Sequence, residues 1–84
     1  MDINELRFEI DSIDDQLLEL FECRMGIAKE IGKYKKEKGL PIKNPERERM
    51  VLDRLSGKAK PELAEYVKSF FLSLIELSST YQKM

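Results

Sequence analysis

The chain has 84 residues, of which 15 are Lys or Arg and 16 are Asp or Glu, giving a formal net charge of −1. This length allows one small domain with a marginal core, and the balanced charge argues against nucleic acid and anionic membranes as partners. Without histidine there is no His-activated nucleophile or His metal site, and the single Cys23 excludes an internal disulfide. No long apolar run or signal-peptide pattern occurs, so we expect a cytoplasmic protein. The absence of histidine and of a Gly-rich phosphate loop predicts a chain that uses no cofactor or metal.

The first predicted element is a long helix that begins near Asp2 and ends near residue 38. Glu5 stands three residues after Asp2, which is the spacing of a capping box. No proline interrupts the segment, and Gly39, followed by a leucine and a proline, is typical of a left-handed helix end. Lysines concentrate in the last turns, where the helix dipole favours cations.

Apolar residues recur along this helix at alternating steps of three and four. This heptad seam consists of Ile3, Leu6, Ile10, Ile13, Leu17, Leu20, Ile27, Ile31 and Tyr34. Arg24 occupies a position of the same seam, where helices that pack along their length place an apolar residue. Because burying an unpaired charge is costly, we expect Arg24 to have a carboxylate partner, which belongs either to the protein or to a ligand.

The length of the first helix predicts a homodimer. A helix of 36 residues is roughly 54 Å long, whereas a compact monomer of this size has a diameter near 30 Å. The distal part of the seam would therefore have nothing of its own chain to cover it. Two long helices packing antiparallel in a shared core would solve this problem. The alternative is a kink at Gly26 or Gly32 that folds the helix back on itself.

Two further helices and no strand complete the prediction. Helix two has Asn44 as N-cap and Pro45 at its first position, and it ends near residues 56–57. Helix three runs from about residue 61 to about residue 82. Its predicted seam is Leu63, Val67, Phe70, Leu74, Leu77 and Tyr81. The expected fold is all-α, with one long, one short and one medium helix in a single domain over residues 1–84.

Cations extend the apolar stripe of the first helix. Lys35 lies eleven residues after Arg24, which returns to within about 20° of the same face, roughly 16 Å along the axis. Arg7 lies about 26 Å from Arg24 along the same helix, too far to share a small ligand. In an antiparallel dimer whose two-fold axis passes between Leu17 and Leu20, the partner's Arg7 would lie beside the gap between Arg24 and Lys35.

The other two helices also carry polar residues on their apolar faces. Arg47 and Glu48 lie one turn before the apolar face of helix two, at a helix start that favours anions. In helix three, Ser78 lies one turn beyond Leu74, and Gln82 one turn beyond Ser78. These positions predict a hydroxyl and an amide donor at the end of that face.

Each of these residues also has an ordinary structural interpretation. Arg7 and Arg47 have the spacing of surface residues, and Lys29 and Lys33 have that of a solvated face. Polar residues such as Ser78 and Gln82 are common near helix ends. Arg24 could instead form an interchain ion pair with Glu22 or Asp14 that fixes the register of a helical dimer.

Three sequence blocks resemble the all-helical class of chorismate mutase, over nearly the whole chain. They are LRFEIDSIDDQLLELFECRMGIAKEIGKYK, PIKNPERERMVLDRL and IELSSTYQ. The resemblance implies a monofunctional enzyme, an isomerase that converts chorismate to prephenate on the route to phenylalanine and tyrosine. It also implies an intertwined three-helix homodimer with two shared active sites, and we expect no nucleic-acid or membrane partner.

The resemblance also implies roles for individual cations. Arg24 and Lys35 resemble the carboxylate-binding cations of the family. Arg7 resembles the arginine that the other chain contributes. Arg47 resembles a further cation near the charged end of the substrate.

The remaining positions resemble the neutral and acidic contacts of the family. Glu48 resembles the acceptor for the ring hydroxyl, and Ser78 a hydroxyl that contacts a carboxylate. Gln82 resembles the amide that donates, with Lys35, to the ether oxygen. Asn44 stands where relatives often have aspartate, so its contact depends on whether the side chain or the backbone N–H binds the substrate.

The implied reaction needs no nucleophile, metal or proton transfer, which fits a chain without histidine. A unimolecular [3,3] rearrangement needs a flexible dianion held in a chair-like shape, which is positioning work. Lys35, Gln82 and Arg24 are the predicted catalytic residues. The sequence is also compatible with two alternatives. One is an isochorismate–pyruvate lyase of the same fold, and the other is a non-catalytic helical dimerisation module.

Overall fold

A computed structural model describes residues 2–84. Helix α1 spans Ile3–Lys38 and has the predicted capping box: the Glu5 N–H donates to Asp2 Oδ1 at 2.9 Å, and the Glu5 carboxylate accepts from the Asp2 N–H. The helix ends at Gly39, whose φ of 70° is the left-handed conformation predicted there. The Leu40 N–H closes the end by donating to the Lys35 carbonyl at 2.8 Å.

Helices α2 and α3 follow the predicted order. Helix α2 spans Pro45–Lys58, and the Asn44 side chain caps it by accepting from the Arg47 N–H at 3.1 Å. A 3-10 turn at Pro61–Leu63 then leads into α3, which spans Ala64–Gln82. The first turn of the third predicted helix is therefore 3-10 in form, as is common at helix ends. Residues 2–84 contain no strand, so the all-α prediction is confirmed.

Helix α3 is the centre of the packing, because it contacts both α1 and α2 while these two do not pack directly on each other within residues 2–84. The contact with α1 involves only the second half of that helix, where Ala28 and Gly32 are buried. On α3 the buried residues are Ile75 and Ser78. This arrangement leaves a gap between α1 and the start of α2.

The first half of α1 projects away from the rest of the chain. Every residue from 2 to 20 is exposed, including the seam residue Leu20, whose exposed fraction is 66%. The chain is 55 Å long in its largest dimension, and its radius of gyration of 15.8 Å exceeds the roughly 12 Å of a compact chain of this size. α1 is one continuous helix through Gly26 and Gly32, so the kinked alternative is wrong.

The inward face of α3 differs from the predicted seam. Leu63, Phe70 and Leu77 are exposed, whereas Ile75, outside the predicted seam, is buried. The segment from Phe70 to Leu77 is apolar at most positions, so its sequence fits several helical phases equally well. The contacts with α1 and α2 select one phase and leave a second apolar stripe uncovered by the chain itself.

Candidate active site

The gap between the helices is a cavity of about 430 Å³. Its apolar wall comes from all three helices and the loop before α2. This wall consists of Ile27, Ala28, Ile31, Ile42, Val51 and Ile75. Its polar lining consists of Arg24, Lys35, Asn44, Arg47, Glu48, Ser78, Ser79 and Gln82. Three of these side chains are cationic and one is a carboxylate, so the cavity suits an anion with an apolar body.

The structure brings together all but one of the predicted site residues. Arg24 and Lys35 reach the cavity from α1, Arg47 and Glu48 from the first turn of α2, and Gln82 from the end of α3. Arg7 is the exception. It lies on the projecting half of α1, about 26 Å along the axis from Arg24. The roles of these residues toward a substrate remain predictions.

Arg24 is held by a hydroxyl and by no carboxylate of the described chain. Its guanidinium donates to Ser78 Oγ at 2.5 Å, and the Ser78 hydroxyl donates to the Leu74 carbonyl at 2.8 Å. No Asp or Glu oxygen within residues 2–84 lies within 4.0 Å of the guanidinium. Four of its five N–H groups thus remain for a ligand or a second chain. The interchain pair of Arg24 with Glu22 or Asp14 stays a prediction.

Lys35 joins α1 to the loop before α2. Its ammonium donates to the Ile42 carbonyl at 2.7 Å, which is one of its three donors. The bond is part-buried and fixes the head group at the edge of the cavity. A side chain anchored in this way can direct its other donors into the cavity without losing much conformational freedom.

Gln82 carries an unsatisfied polar atom. Its Oε1 is buried and accepts no hydrogen bond from residues 2–84. Such an atom is costly unless a donor arrives from elsewhere, and sites for ligands are common places to find one. The Gln82 side chain therefore has an acceptor oxygen that residues 2–84 leave unused.

The start of α2 supplies a carboxylate and a capped helix end. Glu48 lies 3.8 Å from the Lys43 ammonium, a partly exposed pair that contributes little to stability. The Asn44 side-chain oxygen is engaged in capping, so this oxygen already has a donor in the Arg47 N–H. Arg47 itself is exposed at the cavity edge, where the helix N-terminus also favours anions.

Sequence reasoning missed two features of the site. Ser79 lines the cavity beside the predicted Ser78, and its position follows only from the actual phase of α3. Lys29, interpreted as part of a solvated face, donates to the backbone oxygens of Tyr81, in the last turn of α3, and of Met84, just beyond it. The sequence around Lys29 gave no indication of this contact, because it depends on where α3 ends relative to α1.

Within residues 2–84, no three acidic or cysteine side chains lie close enough together to hold a metal ion. In the same part of the chain, no helix is both long and apolar enough to cross a membrane.

Comparison with known proteins identifies the family. The family model for chorismate mutase type II matches residues 6–83. The chain is 35% identical over 82 residues to a chorismate mutase of Methanocaldococcus jannaschii, covering 94% of this chain and 82% of that protein. It is 38% identical over 80 residues to the bifunctional chorismate mutase/prephenate dehydratase of Escherichia coli, but spans only 21% of its length.

A solved structure agrees in fold. The conserved hypothetical protein Pfu-1581948-001 from Pyrococcus furiosus superposes with a TM-score of 0.80 at 39% identity, covering 95% of this chain and 93% of the other. The shared fold extends over nearly the whole length of both chains. The sequence blocks, the three-helix architecture and the family match agree, and the chain belongs to the type II chorismate mutase family.

Proposed function

We propose that the chain catalyses the rearrangement of chorismate to prephenate, an isomerase reaction of aromatic amino acid biosynthesis. The observation that carries this proposal is one cavity lined by Arg24, Lys35, Arg47, Glu48 and Gln82. Its volume and its excess of cations suit a small dianion with a carbon ring. The family match over residues 6–83 also supports a single mutase domain over residues 1–84.

In this proposal the cations hold the two carboxylates of the substrate. Arg24 keeps free N–H groups in a fork that matches a carboxylate, and the Ser78 contact fixes its orientation. Arg47 adds positive charge at the mouth of the cavity, where it would attract the dianion. The Glu48 carboxylate accepts a hydrogen bond from the ring hydroxyl, which is the one donor on the substrate.

Two properties of the cavity accelerate the rearrangement: its shape and its preoriented hydrogen-bond donors. The cavity holds the substrate in the compact conformation in which the new C–C bond can form while the C–O bond breaks. Negative charge develops on the ether oxygen as this bond breaks. Lys35 and Gln82 donate to that oxygen, and such donors stabilise the transition state more than the bound substrate. No proton transfer, nucleophile or metal takes part in this step.

We also propose an antiparallel homodimer with two shared sites. The exposed seam of residues 3–20 supports a second copy as its cover, since isolated proteins rarely expose so continuous an apolar stripe. With the two-fold axis between Leu17 and Leu20, the partner's Arg7 would lie beside the gap between Arg24 and Lys35. The site then has a fourth cation, and both halves of α1 contribute to it.

In the decisive experiment, the purified protein is incubated with chorismate and, in parallel, with isochorismate. We expect prephenate from chorismate, detected by its acid conversion to phenylpyruvate, and no salicylate or pyruvate from isochorismate. A mass measurement on the same sample should give twice the chain mass of 9.9 kDa. Salicylate formation would instead identify the lyase alternative. A folded dimer that turns over neither substrate would indicate the non-catalytic dimerisation module.

A further inference from the structure

The position of Gln82 depends on an unusually close approach between α1 and α3. A Cβ atom placed on Gly32 would lie 2.9 Å from the Gln82 carbonyl oxygen, 3.0 Å from its Cβ and 3.1 Å from its Cα. These are main-chain atoms and the root of the side chain, so rotation of a flexible group cannot relieve the contact. Any side chain at position 32 would displace the last turn of α3.

Lys29, which lies one turn before Gly32 on α1, also contacts the last turn of α3. Its ammonium donates to the Tyr81 carbonyl at 3.4 Å and to the Met84 backbone oxygen at 2.5 Å, and it lies 4.8 Å from the centre of the Tyr81 ring. The Tyr81 carbonyl lies in the last turn of α3 and also accepts from the Met84 N–H at 3.2 Å, whereas the Met84 oxygen lies just beyond the end of the helix. The contacts lie on either side of Gln82 in the chain, so they restrain the turn that carries it.

From these contacts we infer that Lys29 and Gly32 are positioning residues for the reaction, acting through Gln82. The inference rests on the proposed function, because it assigns Gln82 the role of donor to the ether oxygen. Lys29 draws the end of α3 onto α1, and Gly32 allows the approach to close. Neither residue touches the substrate. Together they set the distance between the Gln82 amide and Lys35, the second donor.

The geometry of a preset donor is demanding. A donor contributes to the transition state only if it already points at the position where charge develops. A displacement of about 1 Å at such a group can reduce the rate by about 100-fold. Gly32→Ala shifts the main chain at Gln82, whereas Lys29→Met keeps the apolar stem of the lysine and removes its donors. The two variants therefore disturb one amide by different means.

The experiment measures kcat and KM for chorismate with Gly32→Ala and Lys29→Met, each made in the wild-type chain and in a Gln82→Ala chain. Matched controls are Gly26→Ala, where an added Cβ meets no atom within 4 Å, and Lys33→Met, which changes an exposed lysine on the same helix. In the wild-type chain we expect kcat to fall about 10- to 100-fold in Gly32→Ala and less in Lys29→Met, with KM nearly unchanged. Both controls should keep the wild-type kcat.

The Gln82→Ala chain separates positioning from general damage. If both residues act through the amide, adding either substitution to Gln82→Ala should change kcat by less than about twofold. Equal losses in the two backgrounds, or a rise in KM that accounts for the whole effect, would overturn the inference. If Gly32→Ala fails to fold, Lys29→Met decides alone by the same comparison. An inactive wild-type protein would instead refute the proposed function, so the two failures are distinguishable.

Discussion

The two halves of α1 carry the same heptad pattern but have different surroundings. In residues 21–38 the helix packs against α3, and Ala28 is only 5% exposed. In residues 2–20 every residue is exposed, and the apolar Leu20 is 66% exposed. The heptad pattern of both halves is typical of a packed helix. It predicts that this face of α1 is buried, but it does not indicate which chain buries it.

The contrast extends to function. The packed half supplies Arg24 and Lys35 to the cavity, together with Lys29 and Gly32, which contact the end of α3. The projecting half supplies nothing to the cavity of its own chain. Its one predicted site residue, Arg7, gains a role only if a second chain lies across the seam. The proposed site therefore combines several residues of one chain with a contribution that depends on assembly.

The largest effect should come from a charge on the projecting seam. We expect Leu20→Glu to lower the free energy of unfolding by about 4 kcal/mol or more and to abolish the dimer, because the carboxylate would lie in a shared core. In an isolated chain the same change would be nearly neutral, since Leu20 is 66% exposed. Urea unfolding and a mass measurement by light scattering distinguish the two cases.

Phe8→Glu is the matched control for this experiment. Phe8 is 72% exposed on the same half of α1, but it lies about 120° around the helix from Leu20. Its substitution should change the free energy of unfolding by no more than about 0.5 kcal/mol. Equally small effects of the two substitutions would show that the seam is solvent-exposed, and the proposed dimer would be wrong.

The second largest effect tests whether the projecting half of one α1 and the packed half of the other share an active site. Arg7→Ala and Arg24→Ala should each lower kcat/KM by about 100- to 1,000-fold, since each removes a partner from a desolvated carboxylate. Mixing the two inactive variants should restore about a quarter of the wild-type activity, because half of the dimers are mixed and each of these keeps one intact site. Chorismate turnover after subunit exchange, with exchange verified by native mass spectrometry, measures the recovery.

A mixture of Arg24→Ala with Lys35→Ala is the control. Both residues come from the same chain in the proposed site, so every mixed dimer has two defective sites and no activity should return. Recovery in both mixtures would mean that contamination or refolding explains the result. No recovery in the first mixture, with complete exchange, would contradict the shared site.

Much of this architecture was predictable because helices have a fixed geometry. The caps at Asp2, Gly39 and Asn44 are local signals, and the structure has all three. The spacing of Arg24 and Lys35 places them on one face without knowledge of the tertiary fold. The cavity lining agrees with that placement.

The features that escaped prediction depend on tertiary placement. The inward phase of α3 was not predictable, because its segment from residue 70 to residue 77 is apolar on most sides. The contact of Gly32 with Gln82 joins residues 50 positions apart, and Lys29 looks like any surface lysine until α3 ends beside it. Such contacts arise from the crossing of two helices rather than from the pattern of either one.

A smaller effect tests the chemistry at the packed half. We expect Gln82→Glu to lower kcat by about 100-fold at neutral pH, which is ~3 kcal/mol of lost transition-state stabilisation. Only the protonated carboxyl can donate to the ether oxygen, and a free glutamate ionises near pH 4.3. The kcat of the variant should therefore rise as the pH falls toward the range in which the carboxyl is protonated. The measurement is kcat for chorismate from about pH 4 to about pH 8.

The wild-type chain is the control for this profile, because an amide donor does not titrate. Its activity over the same pH range corrects for ionisation of the substrate and for unfolding in acid. A variant with the wild-type profile, whatever its absolute rate, would remove Gln82 from the role of donor. Loss of activity with a raised KM would instead place Gln82 in substrate binding.

The smallest effect concerns the junction between the two halves of α1. Gly26 lies in the helix interior, and an added Cβ there would meet no atom within 4 Å. Gly26→Ala should therefore raise the free energy of unfolding by about 0.8–1 kcal/mol per chain, the difference in helix propensity, and leave turnover unchanged. Gly39→Ala should do the opposite, because φ is 70° at that position. Thermal unfolding and the chorismate assay test both variants. A Gly26→Ala protein that gains stability but loses turnover would contradict the expectation that position 26 contributes to helix stability alone.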